Sequence, residues 1–265
     1  MSAQTRTGRN TVRTIQSLRD RGEPIAVLTA YDVVMASLLD ECGVDIALVG
    51  DSLANVVLGY ETTLPVTLDD MIRHTAAVVR GSSRALVVCD LPFGATIDVH
   101  TAVSASVRVL KETGCQGVKL EGGARVAPIV QRIVEEGIPV MAHIGLTPQS
   151  VHRLGGYAMH GKAEAEADSL LESARALQDA GAFAVVLECV VPAVARRITE
   201  AIAIPTIGIG SGPDCAGQVL VSNDLLGWGV RPPPRFVTPL ADLRNAAGEA
   251  IREYVRRTKS AAREE

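Results

Sequence analysis

Five ionisable side chains occur where five consecutive apolar segments of this chain end. They are Asp51, Asp90, Glu121, His143 and Glu188. In proteins built from parallel strands, the connecting loops at the carboxyl ends of the strands share one face and carry the working residues. The sequence therefore predicts that these five groups lie together at one rim of a parallel sheet.

Lys119 and Glu121 are two residues apart in one of these segments. Side chains two apart on a strand point to the same side, so both are predicted to face the same volume. Several carboxylates in a small volume repel one another, and a divalent cation would relieve that repulsion. An all-oxygen ligand set favours Mg²⁺ or a similar hard ion. A 2-oxo acid chelated by such an ion would lose a proton more easily from the carbon beside its keto group.

Each of these residues also has a purely structural explanation. An acidic residue after a strand is often the N-cap of the next helix, which applies to Asp51 and Asp90. Glutamate is a poor N-cap, so that explanation fits Glu121 and Glu188 less well. A single histidine at a strand end is more often structural than a ligand, and Lys119 could simply pair with Glu121. The joint occurrence of all these groups is what favours a site.

Short apolar segments alternate with longer amphipathic stretches along the chain. Runs of aliphatic β-branched residues are typical of buried parallel strands, so the pattern predicts an α/β fold. Eight such units give either a closed (β/α)8 TIM barrel or an open doubly wound sheet, and the number eight favours the barrel. An extra N-terminal helix is predicted over 10–21 and a C-terminal helix over 241–257. The predicted strands cover residues 24–29, 45–49, 85–89, 117–120, 139–142, 183–187, 205–208 and 218–221.

The composition limits the class of protein. The chain has 265 residues, 47% of them hydrophobic, and a net charge of −4. Because such barrels use about 250 residues as one domain, we expect a single domain over 1–265, with frayed tails at 1–9 and 258–265. No basic face is present to attract nucleic acid, and no apolar run approaches the roughly 20 residues that cross a bilayer. The scattered cysteines contain no CxxC pair and indicate a reducing, cytoplasmic compartment.

Several sequence blocks around these residues resemble the ketopantoate hydroxymethyltransferase family, which belongs to the phosphoenolpyruvate/pyruvate class of TIM barrels. The resemblance extends from about Thr11 to about Tyr254. The blocks, in the order of the family, are VGDSL at 49–53, TLPVT at 63–67, DLPF at 90–93, VKLEGG at 118–123, HIGLTPQS at 143–150, LEC at 187–189 and IGIG at 207–210.

The resemblance implies an activity, a cofactor and an assembly. The family transfers a hydroxymethyl group from 5,10-methylenetetrahydrofolate to 3-methyl-2-oxobutanoate. The product is 2-dehydropantoate, on the route to pantothenate and coenzyme A, and the reaction passes through a metal-stabilised enolate. The implied cofactor is Mg²⁺ or a similar divalent ion, with the folate as co-substrate. The family also implies a homo-oligomer, expected to be a decamer.

The resemblance further assigns roles to individual residues, although it indicates no folate-contacting residue. Metal, substrate and proton-transfer roles all fall on the residues singled out above, together with Ser52. The metal would be held by Asp51 and Asp90 directly and by Glu121 through water, the oxo acid by Asp51, Ser52, Asp90, Lys119 and His143, and the proton would be accepted by Glu188.

Two segments depart from the family pattern, and two other functions stay open. The departures are at 54–55, near the predicted metal loop, and at 94–97, in a shortened loop expected on the active face. One alternative function is another metal-dependent 2-oxo acid carbon–carbon lyase or mutase of the same superfamily. Those enzymes typically carry a Lys-Cys-Gly loop, which is absent from this sequence. The other is a non-catalytic scaffold or ligand-binding barrel, which would not need Glu188 as a base.

Overall fold

The eight strands form a closed barrel in which neighbours in sequence are neighbours in space. The computed structural model describes residues 8–154, 156 and 158–261. The strands are β1 Ile25–Thr29, β2 Ile46–Val49, β3 Leu86–Asp90, β4 Gly117–Glu121, β5 Val140–Gly145, β6 Ala184–Glu188, β7 Thr206–Ile209 and β8 Gly217–Leu220. The predicted (β/α)8 barrel is confirmed, and the open sheet is excluded. The main difference is that β5 runs to Gly145 instead of ending at residue 142.

The helices begin and end largely where local sequence predicts. Thr67 and Asp70 form a reciprocal capping box at the start of the fourth helix, which satisfies backbone donors that a helix leaves unpaired. Gly114 ends the fifth helix in the left-handed conformation, as expected for a C-terminal glycine. The helices are α1 Val12–Asp20, α2 Val33–Glu41, α3 Leu53–Val56, α4 Leu68–Gly81, α5 Val99–Thr113, α6 Ala127–Glu135, α7 Val151–Leu154, α8 Glu164–Asp179, α9 Pro192–Ala201, α10 Ser222–Leu225 and α11 Leu243–Ala261.

Both predicted terminal helices are present, but the C-terminal one is longer than expected. α11 continues to Ala261, and Glu253 pairs with Arg256 and Arg257 one turn further on. Such pairs three and four residues apart support a helix, which explains why part of the predicted frayed tail is helical. Residues 1–7 and 262–265 of the predicted tails lie outside the described residues.

Strand side chains alternate between the barrel interior and the surrounding helices. Inward-facing Ile, Val, Leu and Met side chains form one apolar cluster together with Ile15 and Leu18 of α1. Outward-facing residues such as Leu120 pack in a larger cluster between the strands and the helices. Since α1 contributes to the interior cluster, it covers one end of the barrel.

The chain divides into two compact units, residues up to Val219 and residues from Leu220 onward. The first unit contains most of the barrel and the helices α1 to α9, and the second contains α10 and α11. The single domain over 1–265 stays a prediction. No helix in the described part of the chain is long and apolar enough to cross a membrane.

Asp40, in the last turn of α2, is buried and organises the loop before β3. One carboxylate oxygen accepts hydrogen bonds from the Ser82 hydroxyl at 2.8 Å and from the Ala85 N–H at 2.9 Å. The other accepts bonds from both donors of Ser83 and from the Arg84 N–H. Burial raises the pKa of Asp40, but these hydrogen bonds lower it by more, so that the resulting pKa is about 2. The charged carboxylate therefore stabilises the folded loop.

We expect Asp40→Ala to lower the free energy of unfolding by about 3 kcal/mol, because three backbone N–H groups lose their acceptor in a buried loop. Stability of the unmodified chain should fall by about 2 kcal/mol between about pH 4 and pH 2, since the folded pKa of about 2 lies below the ordinary 3.8. The difference in the free energy of unfolding between the unmodified chain and Asp40→Ala should therefore become smaller in acid. Urea unfolding at pH 7 and pH 3 measures both effects. Equal losses for Asp40→Ala and for the exposed neighbour Glu41→Ala would contradict this role.

Candidate active site

Inward-facing side chains at the carboxyl ends of β3 to β6 meet above the apolar interior of the barrel. Asp90, Glu121 and Glu188 are the last residues of β3, β4 and β6. His143 lies within β5 and not after it, because β5 is longer than predicted. Strand pairing places Asp90 beside Lys119 and Glu121 beside His143. The structure therefore brings these five predicted site residues together.

Asp51 lies just beyond β2, in the turn that leads into α3. Its backbone N–H donates a 3.0 Å hydrogen bond to Oδ2 of Asp90, so the main chain of one residue positions the side chain of the other. Ser52 follows and shares a 2.9 Å hydrogen bond with the Tyr31 hydroxyl. A Cβ atom at Gly50 would lie 2.7 Å from the Ser52 hydroxyl and 3.6 Å from Oδ2 of Asp90. Glycine therefore leaves the space between these groups open.

Helix capping explains neither Asp51 nor Asp90. The N-cap of α3 is Ser52, which makes no side-chain capping bond, and the N-cap of α5 is Asp98. Both aspartates are nevertheless buried. Burial of a carboxylate that has no positive or hydrogen-bonding partner is unfavourable. Each of the two aspartates therefore needs a cation or a strong hydrogen-bond donor nearby.

Lys119 supplies one such donor and sets the protonation of its neighbour. Its Nζ lies 2.7 Å from Oδ1 of Asp90 and 3.2 Å from Nδ1 of His143. An ammonium group can only donate, so Nδ1 of His143 accepts and the ring proton is on Nε2. Burial lowers the pKa of His143, and the charge of Lys119 lowers it further, which keeps the ring neutral at pH 7. Nε2 then lies 3.2 Å from Oε2 of Glu188, although the two are not aligned as a hydrogen bond.

The carboxyl groups around Lys119 are incompletely neutralised. Burial raises the pKa of Asp90, Lys119 lowers it in part and Asp51 raises it again, which leaves it at about 7. Burial, and then the charge of Asp51, raise the pKa of Glu121 well above its ordinary value. Burial lowers the pKa of Lys119, but the three carboxylates raise it more, so the amine stays charged. Oε1 of Glu121 is buried without a hydrogen-bond partner among the described residues. The site therefore carries negative charge that a further positive group would offset.

Gln149 is a site residue that the sequence analysis did not single out. It lies in the single 3₁₀ turn Pro148–Ser150 after β5. Its backbone N–H donates to Oε2 of Glu121 at 3.1 Å, and its amide Nε2 donates to Oδ2 of Asp51 at 2.9 Å. The same amide donates to the Leu91 carbonyl at 3.0 Å. The only available signal was its position in the HIGLTPQS block, because a glutamine in a loop has no distinctive pattern of its own.

Glu188 lies at the edge of the site, directly before a constrained backbone position. Its side chain is 17% exposed, compared with 4% for Asp90. Cys189, the next residue, has φ of 49° and is the one non-glycine residue with positive φ in the described ranges. Such conformations cost about 1–3 kcal/mol and cluster at functional sites. A Cβ atom at Gly145 would lie only 2.2 Å from the Glu188 carbonyl, so this glycine permits the close approach of β5 to β6.

Comparisons with known proteins show the family to which this chain belongs. Residues 9–262 match the family model described as ketopantoate hydroxymethyltransferase. A relative from Syntrophus aciditrophicus (strain SB), named 3-methyl-2-oxobutanoate hydroxymethyltransferase, is 51% identical over 261 residues, which cover 98% of this chain and 96% of the relative.

Several solved structures have a barrel similar to that of this chain. Their sequence identity to it is low, so the similarity shows a shared fold and nothing more. Phosphonopyruvate hydrolase, in a complex with oxalate and Mg²⁺, has a TM-score of 0.64 at 10% identity and covers 96% of this chain and 88% of its own. A 2,3-dimethylmalate lyase, described as a member of the PEP mutase/isocitrate lyase superfamily, has a TM-score of 0.58 at 17% identity and covers 94% and 87%. The match over nearly the whole sequence decides the family: this chain belongs to the ketopantoate hydroxymethyltransferase family.

Proposed function

We propose that this chain transfers a hydroxymethyl group from 5,10-methylenetetrahydrofolate to 3-methyl-2-oxobutanoate, giving 2-dehydropantoate for pantothenate and coenzyme A synthesis. The observation that carries the proposal is the position of Glu188. In this chain, which belongs to the family, the carboxylate of Glu188 lies beside a cluster of Lys119 and three further carboxylates at one end of the barrel. A binding protein needs the cluster but has no use for a positioned base.

The cluster fits a divalent metal ion, and we assign Asp51, Asp90 and Glu121 to hold it. The buried Oε1 of Glu121 lacks a donor among the described residues, and burial together with the charge of Asp51 raises the pKa values of Asp90 and Glu121 more than Lys119 lowers them. The described residues contain no three acidic, histidine or cysteine side chains that already surround one point. We therefore propose Asp51 and Asp90 as direct ligands and Glu121 as a ligand through water, since Mg²⁺ typically keeps several waters and uses one or two carboxylates with substrate oxygens.

The same residues can hold the oxo acid. When bound, the ion would draw electron density from the keto oxygen, make the proton on carbon 3 more acidic and stabilise the enolate. Lys119 provides an ammonium group for the anionic oxygens of the substrate, and Ser52 provides a hydroxyl group. His143 is held by Lys119 at Nδ1 and presents Nε2–H towards Glu188. Asp51 and Asp90 would lie beside the bound oxo acid.

Glu188 is proposed to accept the proton from carbon 3. The electron pair of the broken C–H bond becomes the enolate, and carbon 3 then bonds to the methylene carbon of the folate as the bond from that carbon to one folate nitrogen breaks. Water displaces the second folate nitrogen and supplies the hydroxyl group. Tetrahydrofolate leaves with a proton on each of the two nitrogens, which balances the proton removed from carbon 3 and the one lost by water. A carboxylate oxygen at the edge of the cavity, 17% exposed on its side chain, can take the proton from the substrate and return it to water.

Proton exchange tests this function against both alternatives. Carbon 3 of 3-methyl-2-oxobutanoate should exchange with deuterated water only in the presence of protein and Mg²⁺, and 2-dehydropantoate should form when the folate is added. Exchange without product would favour a lyase or mutase of the superfamily. If both exchange and product were absent, the result would favour a ligand-binding barrel.

We expect Lys119→Ala to raise the Michaelis constant for the oxo acid by about 10- to 100-fold and to lower turnover, because a charge-assisted contact is lost. The ammonium group of Lys119 lies 2.7 Å from Asp90. Its removal leaves the buried Asp90 carboxylate without an ion pair, which raises the pKa of Asp90 further. Steady-state kinetics measure both effects, and the exposed Lys111→Ala on α5 is the matched control. An unchanged Michaelis constant and rate would make Lys119 a structural residue.

We also propose a cytoplasmic enzyme that works on small molecules as a homo-oligomer, with a decamer expected from the family resemblance. Light scattering coupled to size-exclusion chromatography would give the number of subunits. A monomer at enzyme concentrations used for kinetics would contradict this proposal.

A further inference from the structure

We propose that a cavity beside the acidic cluster binds the folate co-substrate and that Arg125 and Arg153 hold the carboxylates of its glutamate tail. This inference rests on the proposed function. The cavity has a volume of about 360 Å³, and Glu121, Gln149, Phe93 and Ile97 are also among the residues that line it. We call it the arginine cavity. Its volume lies within the range of about 300–1,000 Å³ that is usual for small-molecule sites.

The arginine cavity is continuous with the acidic cluster through two shared residues. Glu121 and Gln149 both line the cavity. The backbone of Gln149 is bonded to Oε2 of Glu121, and its amide is bonded to Oδ2 of Asp51. A ligand in the cavity therefore lies against the residues proposed to bind the metal and the oxo acid. This is where a donor of a one-carbon unit has to place its reactive carbon.

The charges along the cavity match a ligand with a neutral head and an anionic tail. Arg125 and Arg153 are exposed, and neither makes an ion pair or a hydrogen bond with another residue in the described ranges. Arg132 of α6, in contrast, pairs with Glu135 and Glu136. A free guanidinium group binds a carboxylate through two parallel hydrogen bonds. Tetrahydrofolate has two carboxylates, both on its glutamate.

The other walls suit the planar part of such a ligand. Phe93 and Ile97 are 57% and 73% exposed and line the arginine cavity, so they offer apolar contact to a ring system. His160 also lines it, and its Nδ1 is engaged by Glu166 at 2.8 Å. Its Nε2 is buried without a partner among the residues described. A buried polar atom in a cavity wall is expected to have a partner, and a ligand would provide it.

The test compares tetrahydrofolate with tetrahydropteroate, which has the same ring system but lacks the glutamate. We expect Arg125→Ala and Arg153→Ala each to weaken equilibrium binding of tetrahydrofolate about 10- to 100-fold and to leave tetrahydropteroate binding within twofold. The Michaelis constant for 5,10-methylenetetrahydrofolate should rise in parallel, whereas that for the oxo acid should not. The control is Arg132→Ala, whose arginine is paired on the surface of α6 and which should change neither.

The outcomes separate this inference from the proposed function. Equal weakening of both ligands, or no weakening of tetrahydrofolate, would overturn the role of the two arginines. So would an unmodified protein that binds tetrahydrofolate no more tightly than tetrahydropteroate. Absence of carbon 3 exchange in the unmodified protein with Mg²⁺ would instead contradict the proposed function. Exchange does not require folate, so it also reports that each arginine variant is folded.

Discussion

Glu188→Gln should bind the oxo acid and Mg²⁺ almost normally and yet lose about 10²- to 10⁴-fold in both carbon 3 exchange and product formation. Glutamine keeps the size and hydrogen-bonding shape of glutamate, but its amide cannot accept the proton. The His143 Nε2–H, 3.2 Å from Oε2 of Glu188, can face the amide oxygen as well as it faces the carboxylate. The variant therefore isolates proton transfer from binding.

Exchange of the carbon 3 proton in deuterated water, followed by nuclear magnetic resonance, measures the first step alone. Equilibrium binding of the oxo acid in the presence of Mg²⁺ is measured beside it. Glu172→Gln, an exposed glutamate of α8, is the matched control and should behave as the unmodified chain. Exchange near the original rate in Glu188→Gln would exclude Glu188 as the base.

Removal of divalent metal should abolish both exchange and product formation, and added Mg²⁺ should restore them. The physical reason is the excess of carboxylate charge around Lys119, together with the donor-free Oε1 of Glu121. We expect Asp51→Ala to weaken metal and oxo acid binding together by at least about 100-fold, because even residues outside the ligand sphere change metal affinity by 10- to 100-fold. Its loss also leaves the amide of Gln149 without the acceptor it has at 2.9 Å.

Chelation followed by dialysis, and then titration of Mg²⁺ into the apoprotein, measures the metal dependence. Asp69→Ala, an exposed aspartate of α4 with a surface partner in Arg108, should bind Mg²⁺ and oxo acid as the unmodified chain does. Full exchange activity in metal-free protein would contradict a metal-dependent reaction. Independent losses of metal and substrate affinity in Asp51→Ala would show that the two do not share one site.

The barrel and the rim could be predicted from the sequence because both depend on local patterns. An apolar run bounded by turn residues predicts a buried strand wherever it occurs. The alternation of side chains along β4 then places Lys119 and Glu121 on the side opposite Leu120. The roles of the metal ligands and of Glu188 stay predictions, since they came from family resemblance and from charge.

Local patterns were insufficient where the outcome depends on a neighbouring strand. β5 continues past residue 142 because β4 pairs with it as far as His143 and β6 pairs with it as far as Gly145, which places His143 within the strand. The contact of Lys119 with Nδ1 of His143, which assigns the ring proton to Nε2, depends on the register between β4 and β5. No property of either residue type in isolation predicts that register.

Gln149, Arg125 and Arg153 show the same limit for loops. Their residue types are ordinary for exposed turns, and their sequence neighbourhood predicts no chemistry. The parallel pairing of β4 with β5 brings the segments after these two strands to one side of Glu121, where these three residues line a single cavity. Strand positions follow from a repeat of two residues, which is written in the sequence. Which loop side chains meet follows from barrel closure and strand register, which arise from contacts between residues far apart in the chain.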